Sequence, residues 1–256
     1  MIICEVGLNH LGNENYAYSY IDAILKTKAD AITFQIREPD YYINGREKLL
    51  LSDRFYRNAA KMIKSGNKKF GIALADANKI DFFNEIKIDF FKVIRNDINN
   101  FVLLNRLIES NASRIYVSTG MSSLEEIDEF ISKFKKFISR ITLVHTQISH
   151  DINKVNLKVI NTLKGRYSIP IAFGNHCANL KVVFLSTAFL PTDIFIYVKS
   201  NESSYHPDEE HAVRLEELNK FISDLIVLPD SIGDGLKKKM GDERAKIPYE
   251  KSNNFS

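Results

Sequence analysis

Apolar positions fall in short runs along this chain, and each run gives way to a longer, mixed stretch. The runs are Ile2–Val6, Ala31–Gln35, Phe70–Leu74, Phe90–Ile94, Ile115–Ser118, Ile141–His145, Ile169–Phe173 and Ile194–Val198. They are rich in Ile, Val and Phe, the composition of parallel strands buried on both faces. The stretches between them carry apolar residues at helical spacing, as in Tyr18–Leu25, Asp53–Ile63 and Ser123–Phe137. Ser123-Leu-Glu-Glu126 predicts a capped helix start. Pro170 stands at the start of its run, where a missing N–H is tolerated.

Strand then helix, repeated eight times over roughly 220 residues, predicts a (β/α)8 TIM barrel, a single α/β domain over residues 1–229. A doubly wound open sheet is the alternative, but no GxGxxG or Walker loop follows any run. From Asp230 to Ser256 the chain turns polar, and this part is expected to be a surface tail, partly disordered.

Composition narrows the function classes. The apolar content of 45% and charged content of 26% are those of an ordinary globular domain. The net charge of +3, with no basic stripe interleaved with aromatics, argues against nucleic acid as a partner. No apolar run reaches the length of a membrane span. Cys4 and Cys177 are too few for a disulfide framework, and with Met1 leading straight into the first strand no signal peptide is expected. A cytoplasmic protein is the expectation.

A barrel gathers its strand ends at one mouth, where active sites of this fold are built. The first strand carries a carboxylate, Glu5, inside its apolar run, and opens into Gly7-Leu-Asn-His-Leu-Gly12. A carboxylate there is costly unless paired or used. Other strand ends supply Gln35, Arg37, Asp76, Lys92, Arg95, Asn96, Ser118, His145, His150, His176 and Lys199. Cations pair with phosphate or carboxylate, and amides take hydroxyls, so the set suits an anionic, hydroxyl-rich small molecule.

With these residues in hand, the chain resembles the sialic acid synthase family. The similarity rests on Glu5-Val-Gly-Leu-Asn-His-Leu-Gly12, Phe34-Gln35, Lys92 after Asp89-Phe-Phe, Ser118-Thr-Gly-Met121, His145, Gly174-Asn-His-Cys177 and His206-Pro-Asp-Glu-Glu-His-Ala-Val213. It covers nearly the whole chain up to about Glu243. It implies a barrel that condenses phosphoenolpyruvate with an N-acylmannosamine-type sugar, a C–C bond-forming transferase of nonulosonic acid biosynthesis. It also implies catalytic roles for Glu5 and His176. Substrate contacts follow for Asn9, His10, Gln35, Arg37, Lys92, Ser118, His145 and Asp208.

The departures are several. The family's phosphoenolpyruvate lysine falls at Thr33, and the second of its two metal-ligating histidines at Val198, leaving His176 alone. The resemblance therefore implies a Mn or Mg site that is weakened or lost. His145 and His211 could substitute, though neither occupies the lost position. The resemblance also implies a C-terminal antifreeze-like domain that reaches into a neighbouring subunit's site, and the expectation is that these 256 residues lack it; an oligomer is compatible with the sequence. Arg37 shares a strand face with Thr33 but lies about 13 Å further along, so an anion site moved outward is expected. Three readings follow: an altered synthase, a non-catalytic sugar-acid-binding or partner-regulating barrel, and a Schiff-base aldolase using Lys92.

Overall fold

The structure is a computed structural model and describes residues 1–43, 45–94, 97–201 and 205–237. The chain runs β1 (Ile2–Gly7), α1 (Glu14–Leu25), β2 (Ala31–Ile36), α2 (Asp53–Ser65), β3 (Lys69–Leu74), α3 (Ile80–Glu85), β4 (Phe90–Val93) and α4 (Phe101–Ile108). It continues through β5 (Arg114–Ser118), α5 (Leu124–Lys133), β6 (Ile141–His145), α6 (Val159–Arg166), β7 (Ile171–Gly174), α7 (Lys181–Ser186) and β8 (Ile194–Lys199). Last come β9 (Ala212–Arg214) and α8 (Leu215–Val227). Neighbours from β1 to β8 are parallel, and β8 pairs back onto β1, with Ile2 opposite Ile194. That closure makes a (β/α)8 barrel and rules out the open sheet. β9 adds a short parallel pairing to the outer half of β8, Tyr197 to Lys199.

Helix starts follow local chemistry. Asn13, Ser52 and Asn100 accept from backbone N–H groups of the first turns of α1, α2 and α4. Ser123 and Glu126 form a reciprocal capping box on α5, as the sequence predicts. Asn13 starts α1 a turn earlier than the apolar spacing suggests, because a cap fixes the first turn without any apolar residue there. No helix among the described residues is long and apolar enough to cross a membrane. Leu228–Ile232 form a 3-10 turn behind α8. The expected tail from residue 238 onward, like Arg95 and Asn96, lies outside the described residues.

Strand alternation sorts every second side chain inward. Outward residues such as Cys4, Val6, Ile32, Phe34 and Val198 join the large core between barrel and helices. Inward residues Ile3, Ala31, Phe90, Tyr116, Val144, Ala172 and Phe195 form a separate apolar plug. Its aromatic rings meet edge to face, Phe90 on Tyr116 at 5.2 Å and Tyr116 on Phe195 at 4.9 Å. Two residues further along the same strands, the inward positions are Glu5, Thr33, Lys92, Ser118, Thr146, Gly174 and Tyr197. A polar layer thus rests directly on an apolar one, and the apolar layer leaves it no route downward.

Gly71 on β3 makes room for this plug. A Cβ there would stand 2.0 Å from the Phe90 ring, which Tyr116 holds from another side. We expect Gly71→Ala to destabilise the fold by about 1–3 kcal/mol, the usual cost of overpacking. Urea unfolding checks it; an unchanged midpoint would show that the plug tolerates movement.

Candidate active site

At the floor of the mouth lies an ion pair. Lys92 Nζ donates to Glu5 Oε1 at 2.6 Å, and both side chains are almost wholly buried. Phe195 of the plug presents its ring face to the ammonium at 4.5 Å. Neither charge could be left alone here, because an unpaired buried ion costs several kcal/mol. The second carboxylate oxygen, Oε2, is buried and accepts no hydrogen bond. A ligand hydroxyl or amide at the floor would find an acceptor already desolvated.

Above the pair stands Asp208, carried in by the loop between β8 and β9. Asn9 holds that loop. Its amide donates to Val198 O at 2.8 Å and its carbonyl accepts from Asp208 N at 3.0 Å. Gly7 permits the approach: it lies at φ +57, and a Cβ there would come 2.5 Å from Asp208 Oδ2. Burial, with Glu5 adding repulsion, pushes the Asp208 carboxyl up to about 6. Near neutral pH this group can therefore give or take a proton.

One wall of the cavity is aromatic and imidazole-rich. His176 stands 4.8 Å from His211 and 5.3 Å from Tyr197, ring centre to ring centre, and His150 stands 5.3 Å from His211. Glu210 binds His150 through Oε2 at 2.5 Å. His211 is 4% exposed, and neither of its ring nitrogens has a hydrogen-bond partner. Burial, then His150 and Lys92, push it down to about 4, so it is a neutral imidazole at pH 7.

Here the sequence alignment needs correction. Val198 is fully buried in the outer core and cannot have been the cavity position. The residue of β8 that faces the cavity at this level is Tyr197. Whether the wall suits the divalent ion implied by the resemblance turns on its donors. Among the described residues no three His, Cys, Asp or Glu side chains are gathered as a complete ligand set. His176 and His211 stand side by side on this wall, but with two imidazoles and no third gathered donor the described lining does not fit that ion.

The cavity itself holds about 380 Å³ and is lined by Gln35, Arg37, Lys92, Ser118, His176 and Asp208 among others. Those six expected residues are brought together, with Glu5 beneath them. Arg37 is not a bare cation: it donates to both oxygens of Glu38, at 2.9 and 2.5 Å, and lies 4.2 Å over the Tyr41 ring. Lys199 donates to the backbone and carboxylate of Glu209.

Three expected substrate contacts fall elsewhere. His145 points outward, its ring N–H donating to Val155 O at 3.0 Å and its face against Phe173 of the outer core. His10 is 1% exposed, beside Phe34, and accepts from Gly12 N. Asn9 is spent on the loop staple. The reason is parity and turn geometry: His145 has the outward parity of Leu143, and Asn9 and His10 sit in a turn beyond β1. Tyr197, Tyr41 and Thr146 line the cavity and were not singled out. Tyr197 was legible as the residue two beyond Phe195.

The sequence profile of the NeuB family matches residues 19–237. This chain belongs to the NeuB family. Among curated proteins it resembles the N,N'-diacetyllegionaminic acid synthase of Campylobacter jejuni, with 24% identity over 96% of this chain and 81% of the relative. The N-acetylneuraminate-9-phosphate synthase of Homo sapiens is 21% identical over 95% of this chain and 74% of its own. Among solved structures, the N-acetylneuraminic acid synthetase of Leptospira borgpetersenii, crystallised with citrate, superposes with a TM-score of 0.86. It is 26% identical, over 97% of this chain and 90% of that one.

The buried histidine of the first loop gives a pH prediction. Burial pushes His10 down to about 4, from an ordinary value near 6.5. Between those values the unfolded chain binds a proton that the folded chain refuses. The stability it represents is complete above about pH 6.5 and is lost as pH falls toward 4. By pH 5 the loss from His10 should be roughly 2 kcal/mol. His10→Asn, which keeps an acceptor near Gly12 N, should shrink the difference in urea stability between pH 7 and pH 5 by about that amount. An unchanged difference would mean that His10 is solvated or protonated in the fold.

Proposed function

We propose that this barrel is a nonulosonic acid synthase, joining phosphoenolpyruvate to an open-chain N-acylmannosamine-type sugar. In that reaction C3 of phosphoenolpyruvate bonds to the aldehyde carbon, water adds at C2, and phosphate leaves. The products are a 2-keto-3-deoxy sugar acid and phosphate. One observation carries the reading: a NeuB-family barrel keeps a buried Glu5–Lys92 pair at its floor with Asp208 directly above. Buried thiols at Cys4 and Cys177, with no disulfide, agree with a reducing cytoplasm.

The parts divide by chemistry. Lys92 and Ser118 hold the anionic end of phosphoenolpyruvate, with Arg37 nearer the rim. Glu5 Oε2 accepts from a hydroxyl or from the attacking water. Asp208 delivers a proton to the aldehyde oxygen as the C–C bond forms, which a carboxyl near pKa 6 can do at neutral pH. His176 lines the same cavity and can hold a sugar hydroxyl there.

A second reading rests on its own observation. Among the described residues, the Lys and Arg side chains that line the mouth already have carboxylate partners, Lys92 in Glu5 and Arg37 in Glu38. With Thr33 in place of the family's lysine, the anion site has less free charge than a synthase would use. A barrel that binds a sugar acid without turnover fits that arrangement.

Incubation with phosphoenolpyruvate and a panel of N-acylhexosamines, following phosphate release, separates the two. The synthase reading predicts release with at least one sugar, and a fall of roughly 100-fold or more in Glu5→Gln or Asp208→Asn. Release with none, together with a melting temperature raised by phosphoenolpyruvate or citrate and unmoved in Lys92→Ala, would favour the binding barrel.

A further inference from the structure

Two polar residues on one side of the mouth carry hydrogen-bonding atoms that the fold does not use. Thr146 Oγ1 and both ring nitrogens of His211 are buried and bare of hydrogen bonds, in residues 3% and 4% exposed that line the cavity. Asp208 Oδ1 stands 4.0 Å from His211 Nε2, beyond hydrogen-bond reach. The hydroxyl and the neutral imidazole each bring a donor and an acceptor, and buried groups of this kind are ordinarily paired. The surface around them is apolar. Ile148 and Tyr197 line the same cavity, and Tyr197 meets the imidazole edge to face at 4.6 Å. Gly174, inward on β7, brings no side chain. A Cβ there would stand 3.6 Å from Thr146 Cβ and 3.8 Å from Oγ1, so the glycine leaves open the space beside the hydroxyl. Lys92 and Arg37 come from β4 and β2, which stand opposite β8 and β6 in the ring of eight strands. The mouth therefore has a charged side and a side of unmet neutral donors and acceptors.

We propose that this wall is a subsite for an N-acyl group, with His211 and Thr146 as the hydrogen-bond partners of its amide and Gly174, Ile148 and Tyr197 as the seat of its methyl. A secondary amide is neutral and carries one donor and one acceptor, which is what the two bare residues call for. A carboxylate or phosphate brings acceptors alone and would leave the acceptors of the wall unmet. A pair of hydroxyls could make the same hydrogen bonds but would leave the apolar surface against polar atoms, which is unfavourable. Both residues already line the cavity, so rotation of their side chains presents the bare atoms to a ligand and no strand need move. A few placed polar groups on an apolar lining are how small-molecule pockets fix orientation. The proposal rests on the synthase reading for the ligand being a sugar. His211 and Thr146 then decide which substituent that sugar carries at this wall, an acylated amine over a hydroxyl.

The test reads binding and not turnover. Full-length protein is titrated, by ligand-detected NMR, with two open-chain polyols. One is borohydride-reduced N-acetylmannosamine; the other is mannitol, which has a hydroxyl where the first has the acetamido group. The parent should bind the acetamido polyol about 10-fold or more tightly than mannitol, the value of one to two hydrogen bonds. His211→Leu and Thr146→Val should each cut that preference to about 3-fold or less, by weakening the acetamido polyol and leaving mannitol unchanged. His211→Gln, which keeps a donor and an acceptor, should retain it. Thr146→Val keeps the shape of the side chain, so it reads the subsite even if His211→Leu disturbs the loop before β9. A parent that binds the two polyols alike, or binds neither, would overturn the proposal, and so would a preference that survives in Thr146→Val or in a folded His211→Leu. Phosphate release from an N-acylated sugar by such a parent would leave the synthase reading standing without the subsite. The predicted preference without phosphate release would leave the subsite standing in a barrel that binds and does not turn over.

Discussion

The mouth of this barrel depends on one buried contact, the 2.6 Å pair between Glu5 and Lys92. The two residues come from strands that are not neighbours, β1 and β4, so the bond spans the barrel interior. Its ammonium rests on Phe195, and its second carboxylate oxygen is buried without a hydrogen-bond partner. Charges this deep persist only when they answer each other. Everything above takes its electrostatics from them: Asp208 is pushed up partly by Glu5, and His211 is pushed down partly by Lys92.

The pair sits where it does because of the layer beneath. Phe90, Tyr116 and Phe195 close the barrel with perpendicular rings, and strand alternation then puts Lys92, Ser118 and Tyr197 one layer higher. The rim is built differently. It comes from loops held by side-chain staples: Asn9 to the Asp208 loop, and Tyr16 and Tyr20 to His206 and Ser200. A family whose members act on different sugars can change such a rim while the layered floor stays, because loop residues carry little of the core.

The barrel was legible because each strand is a short apolar run, and the run length fixes both its type and its burial. Site residues on strands were legible to the extent that parity was read. Glu5, Gln35, Lys92 and Ser118 have inward parity and line or underlie the cavity. His145 has outward parity and so does not reach the cavity, and Val198, matched to the family's lost histidine, shares that parity, so the match belongs one residue earlier at Tyr197. Asn9 and His10 lie in a turn, where no periodicity says which way a side chain points. His211 was legible only as a histidine that could substitute for the lost one, and its place on the cavity wall was not, since that depends on the β8–β9 pairing, a contact between segments that no local pattern announces. The pairing of Arg37 with Glu38 is likewise a matter of geometry, not of spacing.

The most direct test of this account is a double-mutant cycle on the floor pair, read by urea unfolding at pH 7. Lys92→Met and Glu5→Gln are made singly and together. Removing one partner should cost about 3–5 kcal/mol, because the other charge is left buried. Removing both should cost much less than the sum, giving a coupling of about 2 kcal/mol or more. Single effects that add to within about 0.5 kcal/mol would show that the two residues act independently, and the floor described here would not exist.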